Sequence, residues 1–259
     1  MKRLSILLLV AAVTTGCGLI RGANWDQTRL AEAAVTALSA ASITDAQVVA
    51  LSQRTVAEKD ATTPLADESY QRRLSKLLSG VNDIEGREIN YKVYKTNEVN
   101  AFACGDGSIR VYSGLMDIMD DEELMAIIGH ECGHVAHQDT KKAMRSAYLA
   151  AAARGVISAS GGAVATLSQS VLGSLGEAFI GSQYSQKQEY AADDYGYKFA
   201  VQHGCSPYSM SNALEKLVKL AGSSQASLVQ KMFSSHPDSA GRAKRMKAKA
   251  DAATAASGR

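Results

Sequence analysis

From Asn24 to Gly80 the apolar residues recur every three to four positions in an Ala-rich background, the period of helices with one buried face. The spacing predicts helices over Asp26 to Ser39, Thr44 to Lys59 and Asp67 to Ser79, the last stopped by Gly80. The period then changes to two. Glu88 to Lys95 and Ser108 to Ser113 alternate apolar and polar residues, and Gly105-Asp106-Gly107 forms a turn ahead of the second stretch, which predicts strands of a small antiparallel sheet. Helical spacing returns with Leu124, Ile127, Ile128, Glu131, His134 and Val135, behind Asp120 and Glu123, which have the spacing of a capping box. Ser206-Pro207 starts a further helix to about Leu220, ended by Ala221-Gly222, and a basic helix begins near Asp238. The class is α+β, mainly helical.

Residues 155–176 carry no charge, which raises the question of a membrane span. Five serines, Gly161, Gly162, Thr166 and Gln169 make the segment too polar for one, and a small-residue hairpin or lid is the expectation. At the amino terminus, Lys2 and Arg3 precede an apolar run from Leu4 to Val13 and then Thr14, Thr15, Gly16 and Cys17, the layout of a secretory signal. A small residue before a lone cysteine resembles the bacterial lipobox, although Thr14 stands where Leu is usual. The resemblance implies cleavage after Gly16, lipidation of Cys17 and, since Gly18 rather than Asp follows, an outer-membrane lipoprotein facing the periplasm of a Gram-negative cell. The expected organisation is a signal over 1–16, a lipidated tether over 17–23 and a single domain over 24–259. Within that domain lie a helical part (24–80), a catalytic core (81–242) and a basic tail (243–259).

In 259 residues, 28 Lys and Arg against 26 Asp and Glu give a net charge of +2, and the only basic cluster is terminal, Arg242 to Lys249. No nucleic acid partner is expected from so balanced a chain. Cys104, Cys132 and Cys205 are odd in number and without paired spacing, so no disulfide framework can be read.

The chemistry lies in His130-Glu131-Cys132-Gly133-His134. On a helix, residues four apart share a face, so both imidazoles project toward one point that suits one Zn2+ ion. Zinc in a catalytic site takes three protein ligands and leaves a fourth position for water. A third His six residues after His134 is excluded because Thr140 stands there. Glu189 in Glu189-Tyr190-Ala191-Ala192-Asp193 supplies the ligand instead, and Asp193, one turn on, can hydrogen-bond the far nitrogen of a ligand imidazole. Glu131, between the two His, is placed to take the water's proton as general base. His236, in Ser235-His236-Pro237, is the candidate donor to the developing oxyanion, with Arg242 a weaker one. His137 is two turns from His130 and too far to share the metal, His203 before Gly204 caps a helix end, and Cys132 faces the core.

Taken together, these residues resemble the HtpX-like and Oma-like gluzincin zinc metallopeptidases. The resemblance is carried by Val99 to Ala103, Val111 to Met116, the His-Glu motif, Gln188 to Asp194, and Ser235-His236-Pro237 with Arg242 following, over nearly the whole mature chain. It implies a zincin-like domain whose sheet edge lies over the zinc helix, with Asn100, Ala101, Phe102 and Ala103 holding an extended substrate by strand pairing. It further implies endoproteolysis of unfolded or misassembled envelope proteins, with an envelope protein as a further partner and membrane contact through the lipid anchor alone. Cys104 and Cys132 depart from the family pattern. The rival expectation, a chaperone or assembly-factor lipoprotein with a latent or structural zinc site, rests on residues 155–176 covering the site.

Overall fold

Among the described residues, three helices begin with the same chemistry. Thr44, Asp120 and Ser185 each accept a hydrogen bond from the backbone N–H three residues on, and Gln47, Glu123 and Gln188 reach back to the capping residue's own N–H. Each reciprocal pair satisfies two N–H groups that a helix start leaves without partners. The structure is a computed structural model and describes residues 43–153 and 183–257. The predicted signal, Cys17, the tether, the helix over Asp26 to Ser39 and the segment 155–176 lie outside those residues.

In chain order the elements are α1 (Asp45–Thr62), α2 (Glu68–Leu77), β1 (Asp83–Ile84), β2 (Arg87–Glu88), β3 (Asn90–Tyr94), β4 (Ala101–Ala103), β5 (Ser108–Tyr112), α3 (Ser113–Ile118), α4 (Asp121–Ala136), α5 (Asp139–Ala153), α6 (Gln186–Gln202), α7 (Ser209–Ala221), α8 (Ala226–Ser235) and α9 (Ser239–Ser257). The strand expected over Glu88 to Lys95 is split, because Glu88 pairs back with Asp83 in a two-residue hairpin whose turn residues Glu85 and Gly86 both have positive φ. The helix expected from Ser206-Pro207 starts at Ser209 instead, since Ser206 and Pro207 are used in a turn that bonds Ser209 N–H to Ser206 O. Neither the short α3 nor the amphipathic α8 was anticipated.

The main sheet has the order β3-β5-β4. β4 and β5 are antiparallel, as expected of strands joined by the tight turn at Cys104 to Gly107, but β3 runs parallel to β5. The sheet is therefore mixed rather than antiparallel. Two chain reversals, one on either side of β4, return β5 to the direction of β3, and alternation along a strand carries no information about its partner's direction. Val93, Val111, Ala101, Ile109 and Ala103 face one way and join the principal core with α4, α6 and α7. Tyr94, Phe102 and Tyr112 face the other way and form a second core with Ile43, Val48 and Val56 of the N-terminal segment and Met144 of α5. Among the described residues no helix is long and apolar enough to cross a membrane.

Candidate metal centre

Helix α4 runs between the sheet and α6 and is buried from Glu123 to Val135. Its contact with α6 is made at Gly129 and Gly133, which face Gly196, Phe199, Ala192 and Tyr195. A Cβ placed on Gly133 would lie 3.0 Å from Ala192 Cα, and one on Gly129 would lie 3.0 Å from Gly196 Cα. Only glycine allows two helix backbones to approach so closely. The approach brings Glu189 and Asp193, one turn apart on α6, against His130 and His134, one turn apart on α4.

His130 Nδ1 lies 2.9 Å from Asp193 Oδ1, and His134 Nδ1 lies 3.1 Å from Asp139 Oδ2. A carboxylate against Nδ1 selects the tautomer with its proton there and leaves Nε2 an acceptor. The two Nε2 atoms then face each other at 3.1 Å, with Glu189 carboxylate oxygens 3.3 Å from that of His134 and 3.6 Å from that of His130. Acceptors converging this closely repel one another unless a cation lies between them. The ligand atoms offered by His130, His134, Glu189 and His236 all lie within 4.8 Å of one another, so the donor set fits a divalent cation that takes nitrogen and carboxylate ligands.

The electrostatics follow from burial and partners. Burial pulls His130 down to about 4, helped by the neighbouring Arg242 charge. It opposes the shift of His134, but the Asp139 and Glu189 carboxylates, accepting from the protonated ring, outweigh it and hold that imidazole's proton more tightly than usual. Glu189 also resists burial and lies well below the ordinary carboxylate range, because His134 and His236 bond to it. Asp193 falls to about 2, burial being overcome by Arg242 and His130. Glu131 moves the other way, pushed up to about 7 mainly by burial, and its Oε1 makes no hydrogen bond. A buried carboxylate with a free oxygen and a pKa near neutrality has the properties of a general base.

Glu131 opens into a narrow cleft lined by Asn100, Ala101, Phe102, Ala103, Tyr184, Ser235 and His236. His236 caps the carboxyl end of α8, with Nδ1 3.1 Å from Glu189 Oε1 and Nε2 3.6 Å from Glu131 Oε1. The structure thus brings His130, Glu131, His134, Glu189, His236 and β4 to one place. Arg242 is different. It is 2% exposed, its Nε and Nη2 fork onto Asp193 at 2.9 and 2.6 Å, and Nη1 meets Glu189, so it sits behind the imidazoles and does not line the cleft.

Two residues of the site were not found by sequence reasoning. Asp139 is fully buried and backs His134 as Asp193 backs His130. Its signal is a carboxylate five residues after a histidine of the His-Glu motif, across a helix end. Tyr184 stacks on His134 at 3.8 Å between ring centres and donates its backbone N–H to Ser235 O, for which the sequence offers no signal. His137 caps α4 away from the cluster, His203 caps α6 with its Nδ1 2.7 Å from Phe199 O, and Cys104, Cys132 and Cys205 are free thiols.

The sequence profile described as Peptidase family M48 matches residues 64–250. Metalloprotease LoiP of Escherichia coli (strain K12) is 44% identical over 249 residues, covering 95% of either chain. Metalloprotease YcaL of the same strain is 38% identical over 253 residues, covering 95% of this chain and 97% of the relative. Mitochondrial metalloendopeptidase OMA1 of Arabidopsis thaliana is 27% identical over 177 residues, 67% of this chain and 34% of the relative. With His130, His134, Glu189 and His236 gathered beside Glu131 within the matched span, the chain belongs to peptidase family M48 and is a metalloendopeptidase.

Proposed function

We propose that the metal is one zinc ion held by His130, His134 and Glu189, and that the protein is a lipid-anchored endopeptidase of unfolded or misassembled envelope proteins. The observation that carries the site is the convergence of four buried ligand groups beside a carboxylate with an unbonded oxygen. Zinc held there acidifies water to a pKa of about 7 and polarises a peptide carbonyl. Glu131 accepts the attacking water's proton on its free oxygen and delivers it to the leaving amine. His236, with Nε2 on the cleft side, donates to the oxyanion that develops on the carbonyl. Asp193 fixes the His130 ring, and Arg242 balances the charge of Asp193 and Glu189 rather than serving as a second oxyanion donor. Residues 100–103 pair with an extended stretch of substrate, so recognition is through main-chain groups and tolerates varied side chains.

Lipidation at Cys17, placement at the outer membrane and a single domain over 24–259 complete the reading, supported by the signal-like residues 1–17 and by Gly18. A latent form of the same enzyme, requiring an envelope partner, is favoured by one observation: His236 offers a fourth protein ligand atom, which would close the site to water.

The test compares the zinc-loaded chain from Gly18 with its Glu131→Gln variant on an unfolded protein such as casein, with a chelator control. Chelator-sensitive cleavage that disappears in the variant while zinc stays bound is the expected result. A zinc-loaded wild type that cleaves nothing overturns the open enzyme and favours the latent one.

A further inference from the structure

Helix α1 ends at Thr62, and the family match begins only at residue 64. The helix is nevertheless built into the sheet. In its last turn Asp60 receives Arg110 Nε and Nη2 at 2.9 and 3.0 Å, Lys92 Nζ at 2.7 Å and Tyr94 Oη at 2.7 Å, all from β3 and β5. Arg110 is 2% exposed, so Asp60 is the counter-charge of a buried guanidinium at the centre of the sheet. In register, Arg110 stands opposite Lys92 of β3 and Phe102 of β4, which puts the three side chains in one row on one face. The Phe102 ring lies 6.5 Å from Tyr94 and 6.4 Å from Tyr112, and Val48 and Val56 of α1 complete that packing.

β4 has three residues and one strand neighbour. So short an edge strand is held by hydrogen bonds on one side only, and its plane is set by what packs on its two faces. One face rests on α4, with its candidate ligands. The other rests on the Phe102 cluster under α1.

We propose that α1 is a brace for the cleft strand and that Asp60, acting through Arg110, is a positioning residue for polypeptide binding. The inference rests on β4 as the substrate strand and adds that the segment leading in from the amino terminus controls its alignment. Asp60→Asn keeps the shape and removes the charge, whereas Asp45→Ala, which breaks the 2.9 Å contact to Lys141 at the far end of the same helix, serves as the control.

In the zinc-loaded protein, Asp60→Asn is expected to raise KM for an extended fluorogenic peptide by about tenfold, with kcat within about twofold and zinc content unchanged, as for a group that aligns substrate without taking part in chemistry. Amide hydrogen exchange over residues 101–112 should quicken while that of 121–136 does not, and Asp45→Ala should change neither. Wild-type KM and wild-type exchange in Asp60→Asn, even with a lowered Tm, would overturn the brace and leave α1 a stabilising element only. A wild type that cleaves nothing counts against the proposed function. Exchange over 101–112 then decides the brace by itself, quickening in its favour and unchanged rates against it.

Discussion

The two imidazoles at the metal centre are one turn apart on one helix, yet they are held in different ways. His130 is backed by Asp193, which is fully buried and forked by Arg242, so its orientation depends on α4, α6 and α9 meeting correctly. His134 is backed by Asp139, only five residues along the chain, whose other partners are Lys142, with 57% of its side chain exposed, and Gln188 of α6. One nitrogen is fixed by three helices meeting, the other mainly by a local turn that α6 touches only through Gln188. Disturbing the assembly should therefore cost both fold and metal, whereas disturbing the turn should cost metal alone.

The largest effect expected is that of Arg242→Met, which leaves Asp193 and Glu189 buried without their cation and should destabilise the fold by about 3–5 kcal/mol in urea unfolding. A loss under about 1 kcal/mol would break the contrast. Next is removal of the metal. At free zinc a hundredfold above Kd the bound form gains about 2.7 kcal/mol, so a chelator should lower Tm in the wild type and lower it less in Asp193→Asn. In chelator competition, Asp193→Asn should weaken zinc binding toward the upper end of the 10–100-fold range for lost imidazole partners, and Asp139→Asn by about tenfold. Equal losses would show that the two imidazoles are held equivalently. The smallest effect belongs to Lys142→Ala, which should shift stability by less than about 0.5 kcal/mol and leave zinc affinity unchanged.

What the sequence disclosed was what local chemistry controls. The capping pair Asp120 with Glu123 marked a helix start because the partners lie within one turn, and His130, Glu131 and His134 share a helix whose period fixes their relation. Glu189 was within reach because a second carboxylate pair one turn apart needs only the assumption that two helices meet. Arg242 was considered for the oxyanion, and its guanidinium meets Asp193 and Glu189. Its forked contact with Asp193 joins positions 49 residues apart, and no pattern along the chain marks which way its guanidinium turns. Asp139 stayed hidden for a different reason. Gln138 takes a positive φ of 56° at the end of α4, and that reversal aims the next side chain back at His134, a matter of one backbone conformation rather than of spacing. The parallel pairing of β3 with β5 was equally invisible, since it depends on the path of residues 95–107 through space.

The glycines at the crossing of α4 and α6 make the helix spacing a dial for the metal site. On Gly196 a methyl group would come within 2.7 Å of Ala126 O and His130 N, and on Gly133 within 3.0 Å of Ala192 Cα, so either Ala substitution must push the two backbones apart. Glu189 rides on one backbone and the imidazoles on the other. Gly133→Ala would thus loosen the metal without altering a single polar atom, and the width of one hydrogen atom in an apolar seam sets the bite of a polar chelate.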